Sequence, residues 1–180
     1  MAHLVHDKLL RVEEIISYRF NDRTGLQLAL DLSSGYQEHR NGLAMLGDKV
    51  IDLVLVSKGL RRGETLRMSS LDHTVWQSCA NICLLPCGVE TIDGIRQDRA
   101  CNKYFNQQGF AKGLDECIIK NPAQRGIISP GPMATTVEAV IGAVFDDSSE
   151  SLDAAKEVME RLGVTFAWSR YFPLFPPSVE

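Results

Sequence analysis

Residues 41–60 read NGLAMLGDKVIDLVLVSKGL, the most regular pattern in the chain. Leu43, Leu46, Val50, Leu53 and Val54 recur at three- and four-residue spacing. That is the period of a helix with a wide apolar face, which belongs in a core or at a subunit interface. Gly47 sits in the middle of this helix, where glycine costs about 1 kcal/mol relative to alanine. A packing reason is therefore expected for it, and likewise for Gly142 further along.

On either side of this segment the periodicity predicts more helices. Leu9, Leu10, Val12, Ile15 and Ile16 give residues 7–19 helical spacing, and Thr24 to Leu32 forms a second, short helix. Residues 64–85 read as helical, with a break near Ser69-Ser70 and a stop at Pro86 and Gly88. Residues 89–110 have no decisive pattern, and the Gly, Pro and Asn of residues 111–131 predict a long loop. Pro132 suits a first helical turn. Met133 to Phe145 then carries Val137, Val140, Ile141, Val144 and Phe145 on one side. Ser149 or Ser151 caps a last amphipathic helix to about Leu162. No segment alternates with the period of two that a strand requires. The expected class is all-α: one domain over residues 1–164, then an extended aromatic and proline-rich tail over 165–180.

Composition bounds the function. A length of 180 residues with 44% hydrophobic side chains supports a single domain with a real core. No apolar run approaches the roughly 20 residues of a membrane helix, and Met1 to Lys8 lacks a signal-peptide pattern. The expectation is an intracellular protein, cytoplasmic or nuclear, with no membrane partner. A formal net charge of -4 argues against tight non-specific binding of nucleic acid. Cys79, Cys83 and Cys87 lack the ligand spacing of a zinc site and read as buried thiols. Ser69, Ser70, Asp72 and His73 resemble a hydrolase cluster only superficially, since no nucleophile-elbow motif accompanies them.

Two segments carry the chemistry. Asn41, Ala44, Asp48 and Asp52 fall on one helical stripe, and Thr135 and Glu138 on another. If the two helices pack together, Asp48 and Glu138 meet. Lys49, beside Asp48, reads as a solvated side chain or as a partner for a carboxylate.

The order Asn41-Gly42-Leu43-Ala44-Met45-Leu46-Gly47-Asp48 resembles the ribonuclease III signature Asn-Glu-Arg-Leu-Glu-Phe-Leu-Gly-Asp. Ala134-Thr135-Thr136-Val137-Glu138-Ala139-Val140-Ile141-Gly142-Ala143 resembles that family's Ala-Asp-Thr-Phe/Val-Glu-Ala-Leu-Ile-Gly-Ala block. Phe20-Asn21-Asp22, Leu28-Ala29-Leu30 and Ser34 resemble its earlier Phe-x-Asp, Ala-Leu and Ser pattern, so the likeness spans roughly residues 8–162. The resemblance implies a ribonuclease III-like all-α fold and metal-dependent hydrolysis of double-stranded RNA. Four carboxylates, two per helix, would hold the magnesium. Asp48 and Glu138 match two of them as catalytic and metal-binding residues. The other two positions fall on Ala44 and Thr135, and the family's opening Glu on Asn41. A further acid falls near Arg62, with Glu64 two residues away. Asn41, Thr135 and Lys49 are left as supporting residues around a magnesium site that is weak or lost. The family dimerises on the signature helix, so the resemblance implies a two-fold homodimer through Met45, Leu46, Val50 and Leu53.

Three functions follow as expectations. The first is a ribonuclease III-like protein acting on or binding double-stranded RNA, with impaired cleavage. The second is a catalytically silent homodimeric scaffold in an RNA–protein assembly. The third is a fold repurposed for small-molecule chemistry. With few residues left after about residue 163, the double-stranded RNA-binding domain that often follows this fold is not expected here.

Overall fold

The structure, a computed structural model, describes residues 2–33, 35–69, 102–120 and 128–164. Among these residues it is all-helical apart from one isolated bridge between Asp31 and Ile119. The helices are α1 (Ala2–Ile16), α2 (Thr24–Leu30), α3 (Gln37–Ser69), α4 (Asn102–Ala111), α5 (Leu114–Cys117), α6 (Pro130–Asp147) and α7 (Leu152–Leu162). Cys79, Cys83, Cys87, His73, the end of the helix expected to reach residue 85 and the tail lie outside the described residues. No described helix is long and apolar enough to cross a membrane.

α6 is the centre of the molecule. Ten of its residues are buried, from Met133 and Ala134 through Val144. A helix apolar on most of its circumference has to be enclosed, and α6 packs against α3, α4, α2 and α7. Its start follows from local chemistry: Ser129 precedes it in extended backbone, and Pro130 fills a first-turn position where no N–H is needed. Pro132 lies within that first turn, as its fixed φ allows.

α3 is longer than the expected 41–60 helix at both ends and runs through Gly59 and Gly63. The loop expected over 111–131 is also interrupted. Gly113, with φ of 74°, turns the chain into α5, whose Leu114 and Cys117 are buried. Of the two serines expected to cap α7, Ser151 does so, its side chain accepting from the Ala154 N–H at 3.3 Å.

Two side-chain clusters fasten the periphery. The Asp147 carboxylate at the end of α6 accepts from the Tyr18 hydroxyl at 2.8 Å and from the N–H groups of Asn21 and Asp22 at 3.0 and 2.9 Å. Glu13, 5% exposed, accepts from Arg23 at 2.9 and 2.8 Å and from the Phe20 N–H at 3.1 Å.

Candidate active site

α3 and α6 approach closest at Gly47 and Gly142. A β-carbon on Gly47 would collide with the backbone carbonyl of Glu138, and one on Gly142 with that of Leu43. Each would also lie 3.0 Å from the backbone nitrogen of the other glycine. The atoms in the way are main chain in both directions, so only glycine fits. This is the packing reason expected for the two glycines. It brings position 47 against position 138, and so sets Asp48 beside Glu138.

The electrostatics agree with that placement. Burial pushes the Glu138 carboxyl up to about 7, the Asp48 charge pushes the same way, and Arg40 opposes them. Near neutral pH this carboxyl is therefore divided between its charged and neutral forms. Asp48 is closer to solvent, and Lys49 donates to its Oδ2 at 2.7 Å. Lys49 is thus a carboxylate partner in this structure.

Arg40 is the site residue that the sequence reading missed. It is 5% exposed, and its Nη2 donates to the Pro132 carbonyl at 2.7 Å and to the Thr136 hydroxyl at 3.0 Å. The Thr136 hydroxyl itself donates to the Pro132 carbonyl at 2.8 Å. Burial lowers the Arg40 pKa while the charges of Glu138 and Asp31 raise it; a guanidinium stays charged throughout. A signal for it was present, because Arg40, Ala44 and Asp48 are spaced four apart.

The supporting residues take different positions. Asn41 is exposed. Ala44 is buried at 5% and presents a methyl group to the core. The Thr135 hydroxyl donates to the Gly131 carbonyl one turn back, at 3.1 Å. Magnesium takes oxygen ligands, carboxylates above all. Among the described side chains two carboxylates meet here: Lys49 is bonded to Asp48, and the Arg40 charge acts on Glu138. Among the described residues no three His, Cys, Asp or Glu side chains gather as a metal-binding group. Two carboxylates can hold magnesium where waters and substrate phosphates complete its shell.

The expected dimer face divides. Met45 and Leu53 are 68% and 51% exposed. Leu46 is part-buried against the core. Val50, at 4% exposure, is buried within the subunit. A surface groove lined by Ile16, Tyr18, Val158 and Arg161 contains neither Asp48 nor Glu138.

No family model matches the chain. It is 25% identical over 155 residues to the Ribonuclease 3 of Psychromonas ingrahamii, a match that covers 84% of this chain and 58% of that protein. The chain therefore spans little more than half the length of this curated relative. A crystal structure of the nuclease domain of Ribonuclease III from Campylobacter jejuni superposes with a TM-score of 0.62 at 22% identity, covering 92% of this chain and 97% of that one. Another structure of that nuclease domain, described for flexibility in a region involved in dimer formation, gives 0.60 at 22% identity over 91% and 98%. The fold of this chain is that of the ribonuclease III nuclease domain.

Proposed function

We propose that this chain is a homodimeric, ribonuclease III-type domain that binds double-stranded RNA and has impaired metal-dependent phosphodiester cleavage. The supporting observation is the α3–α6 crossing. It keeps Asp48 and Glu138 together, while the neighbouring positions carry Ala44 and Thr135. Four carboxylates would bring a charge of about -4 to a metal; two bring about -2, and affinity for a divalent ion falls accordingly. Phosphodiester hydrolysis of this kind draws on metal to activate water and to stabilise developing charge. What the chain's own residues still supply is a carboxylate in Asp48 and, in Glu138, a carboxyl that exchanges its proton near neutrality.

The homodimer is proposed on the exposed apolar side chains Met45 and Leu53 of α3 and on the dimer formation described for the Campylobacter jejuni domain. A two-fold interface presents the same patch from both subunits, so two residues per chain double in the dimer.

The test is retardation of a generic RNA duplex at low salt, with cleavage followed in magnesium and in manganese. Retardation with little or no cleavage is expected. Rapid magnesium-dependent cleavage, abolished in Glu138→Gln, would show that two carboxylates suffice. Neither retardation nor cleavage would remove RNA from the account and leave a scaffold or small-molecule chemistry.

A further inference from the structure

We propose that Arg40 is a built-in counter-cation of the Asp48–Glu138 site, which takes over part of the charge role of a divalent metal and weakens the site's affinity for one. This inference rests on the reading of a reduced metal site and adds the residue that sets its electrostatics.

The Arg40 guanidinium enters the molecule from the first turn of α3 and ends against the first turn of α6. The acceptors of Nη2, the Pro132 carbonyl and the Thr136 hydroxyl, are neutral. Its Nε finds no hydrogen-bond acceptor among the described residues. A buried guanidinium with neutral partners is costly unless carboxylates compensate it through space. The Nη2 bond to Thr136 places the guanidinium beside α6 two residues before Glu138, and the carboxylates whose charge acts on it are Glu138 and Asp31. Asp31 is itself 7% exposed and accepts from the Ser33 N–H at 2.7 Å. Arg40 therefore shares the negative potential of Glu138, the same potential that a metal would use.

Electrostatics fixes the consequence. A unit positive charge in a partly buried site repels a divalent ion far more strongly than it would in water. Arginine cannot relieve that repulsion by giving up its proton. The hydrogen bonds to α6 also hold it in place, so the charge cannot swing out to solvent. Arg40 makes no contact with a reacting atom. It is a positioning residue that acts through Glu138.

The test uses the full chain and Mn²⁺ alone, by calorimetric titration near pH 7 at low salt. Arg40→Gln removes the charge and keeps a donor for the Pro132 carbonyl. Arg40→Lys keeps the charge. We expect Arg40→Gln to bind Mn²⁺ about tenfold more tightly than the wild type, and Arg40→Lys to stay within about twofold of it. Unchanged or weaker binding by Arg40→Gln overturns the proposal, and so does equal tightening in Arg40→Lys. If Arg40→Gln is unfolded without metal, Mn²⁺ should restore its helical circular dichroism while leaving the wild-type signal unaltered. A variant that stays unfolded in Mn²⁺ also overturns it. No RNA is present, so failure of the RNA reading leaves this outcome untouched.

Discussion

Gly47 lies flush against the main chain of Glu138: a β-carbon at position 47 would collide with the Glu138 carbonyl oxygen. The contact joins α3 to α6 at the point where the two candidate carboxylates meet, so fold stability and site geometry depend on the same glycine. Replacing Gly47 with alanine gains about 1 kcal/mol of helix propensity but forces two helical backbones apart. The net cost is expected to be about 3 kcal/mol, read as a lower urea midpoint with an unchanged slope. An alanine variant as stable as the wild type would contradict the close approach.

Glu138 links pH to stability. Burial, and then the Asp48 charge, raise its carboxyl from 4.5 to about 7. A raised folded value gives stability that is fully present below the unfolded pKa and is lost as pH rises through the folded one. The window is pH 4.5 to about 7. Glu138→Gln should leave the melting temperature nearly unchanged at pH 4.5 and raise it at pH 8. With partial exposure discounted, the gain at pH 8 is about 2 kcal/mol. Thermal melts of both proteins across this range check the sign. Destabilisation by glutamine at pH 8 would contradict it.

Asp147 runs in the opposite direction. Burial pushes its carboxyl up, but the N–H donors of Asp22 and Asn21 and the Tyr18 hydroxyl outweigh burial, and its pKa lies below 3.8. Its contribution is present above 3.8 and is lost as pH falls through the depressed value. Asp147→Ala leaves the Tyr18 hydroxyl and two N–H groups without this acceptor, at a cost of about 2 kcal/mol near pH 7. Chemical denaturation at pH 7 and pH 3 should show the deficit shrinking in acid. A constant deficit would mean that the carboxylate charge is irrelevant to the staple.

Met45 and Leu53 test the proposed dimer. Each is more than half exposed in the subunit, so a charge at either position costs the monomer little. Introducing glutamate at both should turn the dimer into a monomer in analytical ultracentrifugation, with stability changed by less than about 1 kcal/mol per site apart from the lost association. A double variant that remains dimeric would move the interface off this face.

How much the sequence foretold depends on whether the cause was local. The apolar repeats of α3 and α6 are periodic, and periodicity is visible without a structure. Gly47 and Gly142 stood out because glycine in a helix interior needs a reason, and the helix crossing supplies it. The pairing of Asp48 with Glu138 followed from the resemblance of the two segments to one family. α5 was hidden inside a Gly- and Pro-rich stretch. It is four residues long, and its place depends on burying Leu114 and Cys117 rather than on local preference. Arg40 is not readily legible as a site residue in the sequence because arginine is rarely buried. Its partners, Pro132 and Thr136, are about ninety residues away in the chain. Val50 belonged to the same apolar stripe as Met45 and Leu53, but the stripe is wide enough to serve the core on one edge and solvent on the other.

The most direct measurement is the single-turnover rate of magnesium-dependent cleavage of an end-labelled RNA duplex, with enzyme in excess and Glu138→Gln beside it. The duplex should be bound, and the wild-type rate should be close to that of Glu138→Gln at every magnesium concentration. A wild-type rate that climbs with magnesium and saturates, while Glu138→Gln stays flat, would contradict it: Asp48 and Glu138 would then form a working metal site without the missing acids.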